Sequence, residues 1–146
     1  DPMQTVRALT LLALTLLALA ATALFATRNA YAAPGSALQT LDKGVTVNIV
    51  RTASGPKATA SSTVTVHYEG TLTNGTVFDS SYKRSAPATF PLRGVVPCWQ
   101  IAVPHIPVGA KAKVVCPAES AYGSAAVGAI PPNSTLNFDI EVLSIQ

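Results

Sequence analysis

The sequence is poor in charged residues. Of 146 residues, only 10 are Lys or Arg and 7 are Asp or Glu. This charged share of 12% compares with about 25% in ordinary globular domains. The net charge of +3 is small and no Lys or Arg run occurs, so we expect no nucleic-acid partner. Hydrophobic residues make up 49%, which argues against disorder, and the length predicts one compact domain.

The sequence also lacks the usual machinery of bond-breaking enzymes. No phosphate-binding glycine loop, dinucleotide-binding pattern or nucleophile elbow occurs. The two histidines, His67 and His105, have no partners at metal-ligand spacing. We therefore predict no metal site and no cofactor. His67 alternates with apolar neighbours in a strand-like pattern, so we expect a solvated surface histidine.

An uncharged apolar run covers residues 8–27, with Arg7 before it and Ala30-Tyr31-Ala32 after it. This order is typical of a secretory signal peptide. We interpret residues 1–2 as an expression remnant, 3–32 as the signal peptide, 33–40 as a short linker and 41–146 as the folded domain. The alternative is an uncleaved membrane anchor, because the run is long enough to span a bilayer. Cleavage after Ala32 predicts a periplasmic or secreted protein without a membrane association.

The only two cysteines are Cys98 and Cys116. An even pair in an exported domain is commonly bonded, which predicts a disulfide between the start of a helix and the end of a strand. The alternative is a reactive thiol at the helix N-terminus.

Alternating apolar and polar residues predict strands at 45–50, 64–69, 110–116 and 136–142, and Asn74-Gly75 predicts a tight hairpin. The only helix candidate covers residues 95–103, with Pro97 in its first turn and Pro104 at its end. Five or six antiparallel strands with one helix predict an α+β half-barrel. Residues 117–134 form a long loop with enough apolar content to favour a binding loop.

Four stretches resemble the FKBP-type peptidyl-prolyl cis-trans isomerases, and they occur in that family's order. They are VTVHYEGTLTNGTVFDSS (64–81), VVPCW (95–99), AYG (121–123) and IPPNSTLNFDIEVL (130–143). The resemblance covers about residues 38–146. The exported context and the P-x-W pattern are most similar to the bacterial branch that includes macrophage infectivity potentiator proteins. Some of those proteins dimerise through an N-terminal helical region, for which this sequence has no room, so we expect a monomer.

The resemblance implies a curved antiparallel sheet wrapped around one short helix, with a pocket between them. Trp99 would form the floor, while the Val96 N–H and the Tyr122 hydroxyl would hold substrate carbonyls. Asp79 would lie near the twisting amide, held by Arg84 and Tyr68. The implied catalytic residues are Asp79, Tyr122, Tyr68, Phe78 and Phe138, and the implied substrate-binding residues are Val95, Val96, Trp99, Ile130 and Arg84. Phe90 would lie behind the pocket wall.

The resemblance also implies proline-containing polypeptides as partners and macrolides such as rapamycin as ligands. Small residues stand where better-known members carry larger or charged ones, which predicts a trimmed pocket rim. These positions are Ala88, Gly94, Ala126 and Ala129.

Prolyl isomerisation needs no nucleophile or metal, which fits a sequence without either. We therefore expect an exported isomerase that acts during protein folding. A non-catalytic module that binds proline-containing segments, as a chaperone does, is the alternative. An unrelated all-β adhesion domain is a third alternative, but it would leave the spacing of the four motifs unexplained. Taken without the resemblance, the aromatic residues at strand positions could also simply pack in the core.

Overall fold

The computed structural model describes residues 38–146. The predicted expression remnant, signal peptide and cleavage site lie outside the described residues, as does most of the predicted linker. Two residues of that linker form the first strand, Gln39–Thr40.

Seven strands form one open antiparallel sheet beside one short helix. The strands are β1 (Gln39–Thr40), β2 (Thr46–Arg51), β3 (Thr63–Leu72), β4 (Val77–Ser80), β5 (Ala88–Pro91), β6 (Lys111–Cys116) and β7 (Leu136–Ile145), and the helix is α1 (Pro97–Ala102). Their order is β1-β2-β6-β7-β3-β4, and β5 pairs with β3 alongside β4. The α+β half-barrel is confirmed, although the prediction of five or six strands was too low.

The centre of the sheet is the pairing of β3 with β7. Each strand has ten residues, and their register runs from Val64 opposite Ile145 to Leu72 opposite Leu136. Burial alternates along β3, because successive side chains of a strand point to opposite faces. The buried face packs against Trp99 and other residues of α1 in a single hydrophobic core. The functional side chains therefore come from one face of the sheet.

The helix is shorter than the predicted range of 95–103. Val95 and Val96 are extended, with φ/ψ of −100°/168° and −56°/150°. A residue that precedes proline is disfavoured in the helical region, so the helix begins at Pro97 itself. At the other end, Val103–His105 continues as a 3-10 turn that contains Pro104. The extended residues before the helix leave their backbone available for other contacts.

The predicted disulfide is present. Cys98 and Cys116 are bonded, and both are fully buried. The bond joins the first turn of α1 to the last residue of β6, next to Trp99. The described residues contain no free cysteine, so the alternative of a reactive thiol at the helix N-terminus is wrong.

The loop at 117–134 is organised by its own hydrogen bonds. It begins with a 3-10 turn, Ala118–Ser120, and the Asn133 N–H donates to the Gly123 carbonyl at 2.7 Å. The backbones of Val127 and Ile130 also pair with each other. These hydrogen bonds hold the loop backbone in a defined conformation. Within residues 38–146, no helix has the length and apolar character needed to cross a membrane.

Candidate active site

A cavity of about 370 Å³ opens beside α1, the buried face of the sheet and the loop at 117–134. Six of its ten lining residues are aromatic, and they come from the strands, the helix and the loop. The lining residues are Tyr68, Phe78, Asp79, Phe90, Gly94, Val95, Val96, Trp99, Tyr122 and Phe138.

Trp99 is the aromatic residue around which the cavity is built. Its ring makes edge-to-face contacts with Tyr68, Phe90 and Phe138 at centroid distances of 5.2, 5.6 and 5.4 Å. Aromatic pairs prefer this arrangement because the positive edge of one ring meets the negative face of the other. Trp99 is only 4% exposed. Three neighbouring rings therefore fix its orientation.

Gly70 leaves space for the rings of Phe78 and Phe138, which form another part of the cavity wall. The sequence analysis did not identify this role of Gly70. The rings of Phe78 and Phe138 meet edge to face at 5.6 Å. A Cβ atom at Gly70 would lie 2.5 Å from Phe78 and 2.9 Å from Phe138. The signal was available, because an isolated glycine inside a strand often marks a close approach.

Asp79, Arg84 and Tyr68 form a closed triangle of hydrogen bonds. The Tyr68 hydroxyl donates to Asp79 Oδ2. Arg84 donates from Nη1 to Asp79 Oδ1 at 2.5 Å and from Nη2 to the Tyr68 hydroxyl oxygen at 3.0 Å. The carboxylate is therefore held from two sides at the edge of the cavity.

The triangle keeps Asp79 ionised and Tyr68 protonated. Burial by itself would raise the pKa of Asp79, but the hydrogen bonds from Tyr68 and Arg84 and the Arg84 charge outweigh it, so the pKa lies below its usual value. Burial, followed by the hydrogen bond to Asp79, raises the pKa of Tyr68. Both groups thus keep one charge state at neutral pH.

Ser81 connects this triangle to His67. The buried Ser81 Oγ accepts a hydrogen bond from the Tyr68 N–H at 2.8 Å and lies 2.9 Å from His67 Nδ1. His67 also stacks on Tyr82 at 4.8 Å. The prediction of a solvated surface histidine is wrong, because these two contacts keep His67 half-buried.

Two hydrogen-bond donors that the resemblance singled out belong to cavity-lining residues and have no partner among the described residues. They are the backbone N–H of Val96 and the hydroxyl of Tyr122. Tyr122 is 39% exposed, so its side chain is accessible from solvent. These donors are available to a bound ligand.

Most of the predicted site residues line this one cavity, with two exceptions and one correction. Arg84 is not a lining residue and contacts the site through Asp79 and Tyr68. Ile130 is buried in the loop without lining the cavity. Phe90 lines the cavity, whereas the sequence analysis placed it behind the wall. Its position follows from the pairing of β5 with β3, which brings Phe90 opposite Val64.

A second depression of about 370 Å³ includes Glu69, Lys113 and Asp139 among its lining residues. Its charged groups already have partners: Lys113 Nζ lies 3.3 Å from Asp139 Oδ1, and the Ser80 hydroxyl donates to Glu69 at 3.2 Å. No three metal-ligating side chains come together within residues 38–146. The aromatic cavity, with its free donors, is the better candidate site.

A family model described as FKBP-type peptidyl-prolyl cis-trans isomerase matches residues 55–143. The chain belongs to this family. FkpA of Aeromonas hydrophila, named as an isomerase of this type, is 43% identical over 114 residues, which cover 78% of this chain and 42% of FkpA. The peptidyl-prolyl cis-trans isomerase Mip of Coxiella burnetii is 43% identical over 110 residues, which cover 75% of this chain and 48% of Mip.

Solved structures of this FKBP family share the fold. The crystal structure of FkpA from Escherichia coli matches with a TM-score of 0.73 and 43% identity, covering 78% of this chain and 54% of that one. A peptidyl-prolyl cis-trans isomerase from Pseudomonas syringae pv. tomato matches with a TM-score of 0.70 and 34% identity, covering 79% and 84%. The matched region spans less than half the length of the FkpA and Mip relatives.

Proposed function

We propose that this chain is an exported peptidyl-prolyl cis-trans isomerase that accelerates Xaa-Pro isomerisation during protein folding. The observation that carries the proposal is the aromatic cavity with a fixed carboxylate and two unpaired donors at its edge. Membership of the isomerase family supports the same activity.

The reaction needs selective binding rather than bond-breaking chemistry. Rotation about a peptide bond is opposed by lost resonance, about 18–20 kcal/mol. A site that binds the twisted amide better than the planar one lowers this barrier. An acceleration of about a million-fold requires about 8 kcal/mol of such selectivity. Apolar walls contribute, because a twisted amide has less charge separation than a resonant one and loses less on leaving water.

Each group at the cavity has a role in this proposal. The Val96 N–H and the Tyr122 hydroxyl anchor substrate carbonyls, so the amide rotates between fixed points. The proline ring packs on Trp99 and its aromatic neighbours. Asp79, oriented by Arg84 and Tyr68, provides a fixed ionised group beside the rotating amide. No proton is transferred in any step.

The same cavity defines the partners that we propose. They are proline-containing polypeptides with an apolar residue before proline, because Val95, Val96 and Phe138 supply apolar wall. Macrolides such as rapamycin would enter the same cavity. The small side chains of Ala88 and Ala126 offer them less contact area than larger residues would.

An oxidising compartment is the proposed site of action, either the periplasm or outside the cell. The bond between Cys98 and Cys116 supports this, because disulfides persist in oxidising compartments. The similarity to FkpA and Mip is consistent with export. We propose that the exported form is a monomer.

The deciding experiment measures isomerisation by the purified protein. The substrates are short Xaa-Pro peptides and a protein whose refolding is limited by proline isomerisation. We expect both reactions to accelerate in proportion to enzyme concentration. Binding of the peptides without acceleration would refute catalysis and identify a non-catalytic binding module.

A further inference from the structure

We propose that Gln100 is a positioning residue for substrate binding: it holds the peptide unit that carries the N–H of Val96, a cavity-lining residue whose N–H has no partner among the described residues. This inference rests on the proposed function. Gln100 is exposed on α1 and does not line the cavity, so it acts on the substrate only through the backbone.

The geometry follows from the peptide bond between Val95 and Val96. The Gln100 side chain donates from Nε2 to the Val95 carbonyl at 2.8 Å. That carbonyl and the Val96 N–H belong to the same planar unit, which is trans. In a trans peptide, the C=O and N–H bonds point in opposite directions. Holding the oxygen on the helix side therefore fixes the direction of the N–H on the other side.

This peptide unit has little other support. Val95 and Val96 lie between a 3-10 turn, Leu92–Gly94, and α1, so regular helical bonds do not hold the peptide between them. The Val96 carbonyl accepts from the Trp99 N–H at 3.0 Å, which fixes the following peptide. Within residues 38–146, the bond from Gln100 is the one hydrogen bond to the unit between Val95 and Val96. Without it, a small change in the flanking torsions turns the N–H away from its direction.

The bond from Gln100 also makes the N–H a better donor. A carbonyl that accepts a hydrogen bond is polarised, and linked hydrogen bonds strengthen one another. Gln100 thus contributes to both the direction and the strength of the bond that Val96 offers to a substrate carbonyl.

Gln100→Glu is the main test variant, because it keeps the shape of the side chain and replaces its N–H donors with a carboxylate oxygen. We expect KM for Xaa-Pro peptides to rise about threefold to tenfold, with kcat within about twofold, since the lost anchor acts when substrate binds. The melting temperature should not fall, because a negative charge in the first turns of a helix is favourable. A merely structural role would instead lower the melting temperature.

Two further variants make the comparison sharp. Gln100→Lys restores an N–H donor, so we expect KM close to that of the wild type. Gln39→Glu makes the same chemical change on β1, away from the cavity, and should leave KM unchanged. The amide resonance of Val96 provides a readout independent of activity, and it should move in Gln100→Glu and not in Gln39→Glu.

The outcomes separate this inference from the proposed function. An inactive wild type refutes the proposed function, and this inference with it. An active wild type with an unchanged KM in Gln100→Glu refutes the role of Gln100 alone. Equal losses in Gln100→Glu and Gln100→Lys also overturn it, because a restored donor would then bring no recovery.

Discussion

Replacing Asp79 with valine tests whether the carboxylate acts on the rotating amide. Valine suits the strand β4 and introduces no polar group. The change removes the acceptor of the Tyr68 hydroxyl and the ionic partner of Arg84. Arg84 Nη2 still donates to the Tyr68 hydroxyl oxygen, so Tyr68 keeps one of its two side-chain hydrogen bonds.

The expected cost in stability is small, while the expected cost in catalysis is large. Asp79 and Arg84 are partly exposed, at 41% and 51% of their side chains, so water replaces most of what the pair loses. The unfolding free energy should fall by about 1 kcal/mol, which is the lower end of the cost of leaving a buried donor without a hydrogen-bond partner. Hydrogen bonds to charged groups contribute about 1.5–3 kcal/mol. If the carboxylate acts on the twisted amide with that strength, kcat/KM falls about tenfold to 150-fold.

Tyr122→Phe is the matched comparison, because it removes one neutral donor from the same cavity. A neutral hydrogen bond contributes about 0.5–1.5 kcal/mol, so kcat/KM should fall about twofold to tenfold. No hydrogen bond within the described residues is lost, and stability should stay unchanged. Both variants are assayed on a peptide series, and folding is monitored by thermal unfolding. Wild-type activity in folded Asp79→Val would refute the catalytic role, as would a smaller loss than in Tyr122→Phe.

Three further predictions concern pH, packing and the disulfide. Because no proton transfer is proposed, kcat/KM should stay flat across neutral pH. The pKa of Asp79 is lower in the folded protein than in the unfolded chain, where it is about 3.9. The ionised Asp79 therefore stabilises the fold above about pH 3.9, and this stabilisation is lost as the pH falls through the lower pKa of the folded state. Gly70→Ala should displace both phenylalanine rings and destabilise the fold by about 1–3 kcal/mol, with a loss of kcat/KM. Cys98→Ala combined with Cys116→Ala should lower the unfolding free energy by about 3 kcal/mol, from the 18-residue separation of the pair.

Each of these has a clear contrary result. A bell-shaped pH–rate profile near neutrality would indicate acid–base catalysis. Unshifted aromatic ring resonances in Gly70→Ala would show that the wall adapts without moving. Equal denaturant midpoints for the oxidised protein and the double alanine variant would show that the disulfide does not stabilise the fold by restricting the conformations of the unfolded chain.

The amino-acid order by itself determined most of the fold. Alternation with a period of two predicted β3 and β7, because one face of each strand must be buried and the other is not. Asn74-Gly75 predicted the hairpin, since a tight turn needs a residue such as Gly75, whose φ is +87°. The family motifs identified Tyr68 and Asp79 together, although eleven positions apart in the chain.

Only the tertiary structure decided how those residues meet. The contact of Phe90 with Trp99 depends on a strand pairing too short to show in the sequence. The burial of His67 depends on Ser81, which reaches it from the next strand's end. The link from Gln100 to Val95 requires the helix to begin at Pro97, two residues later than the pattern indicated. Local patterns report which face of an element is apolar, whereas these contacts depend on how separate elements pack.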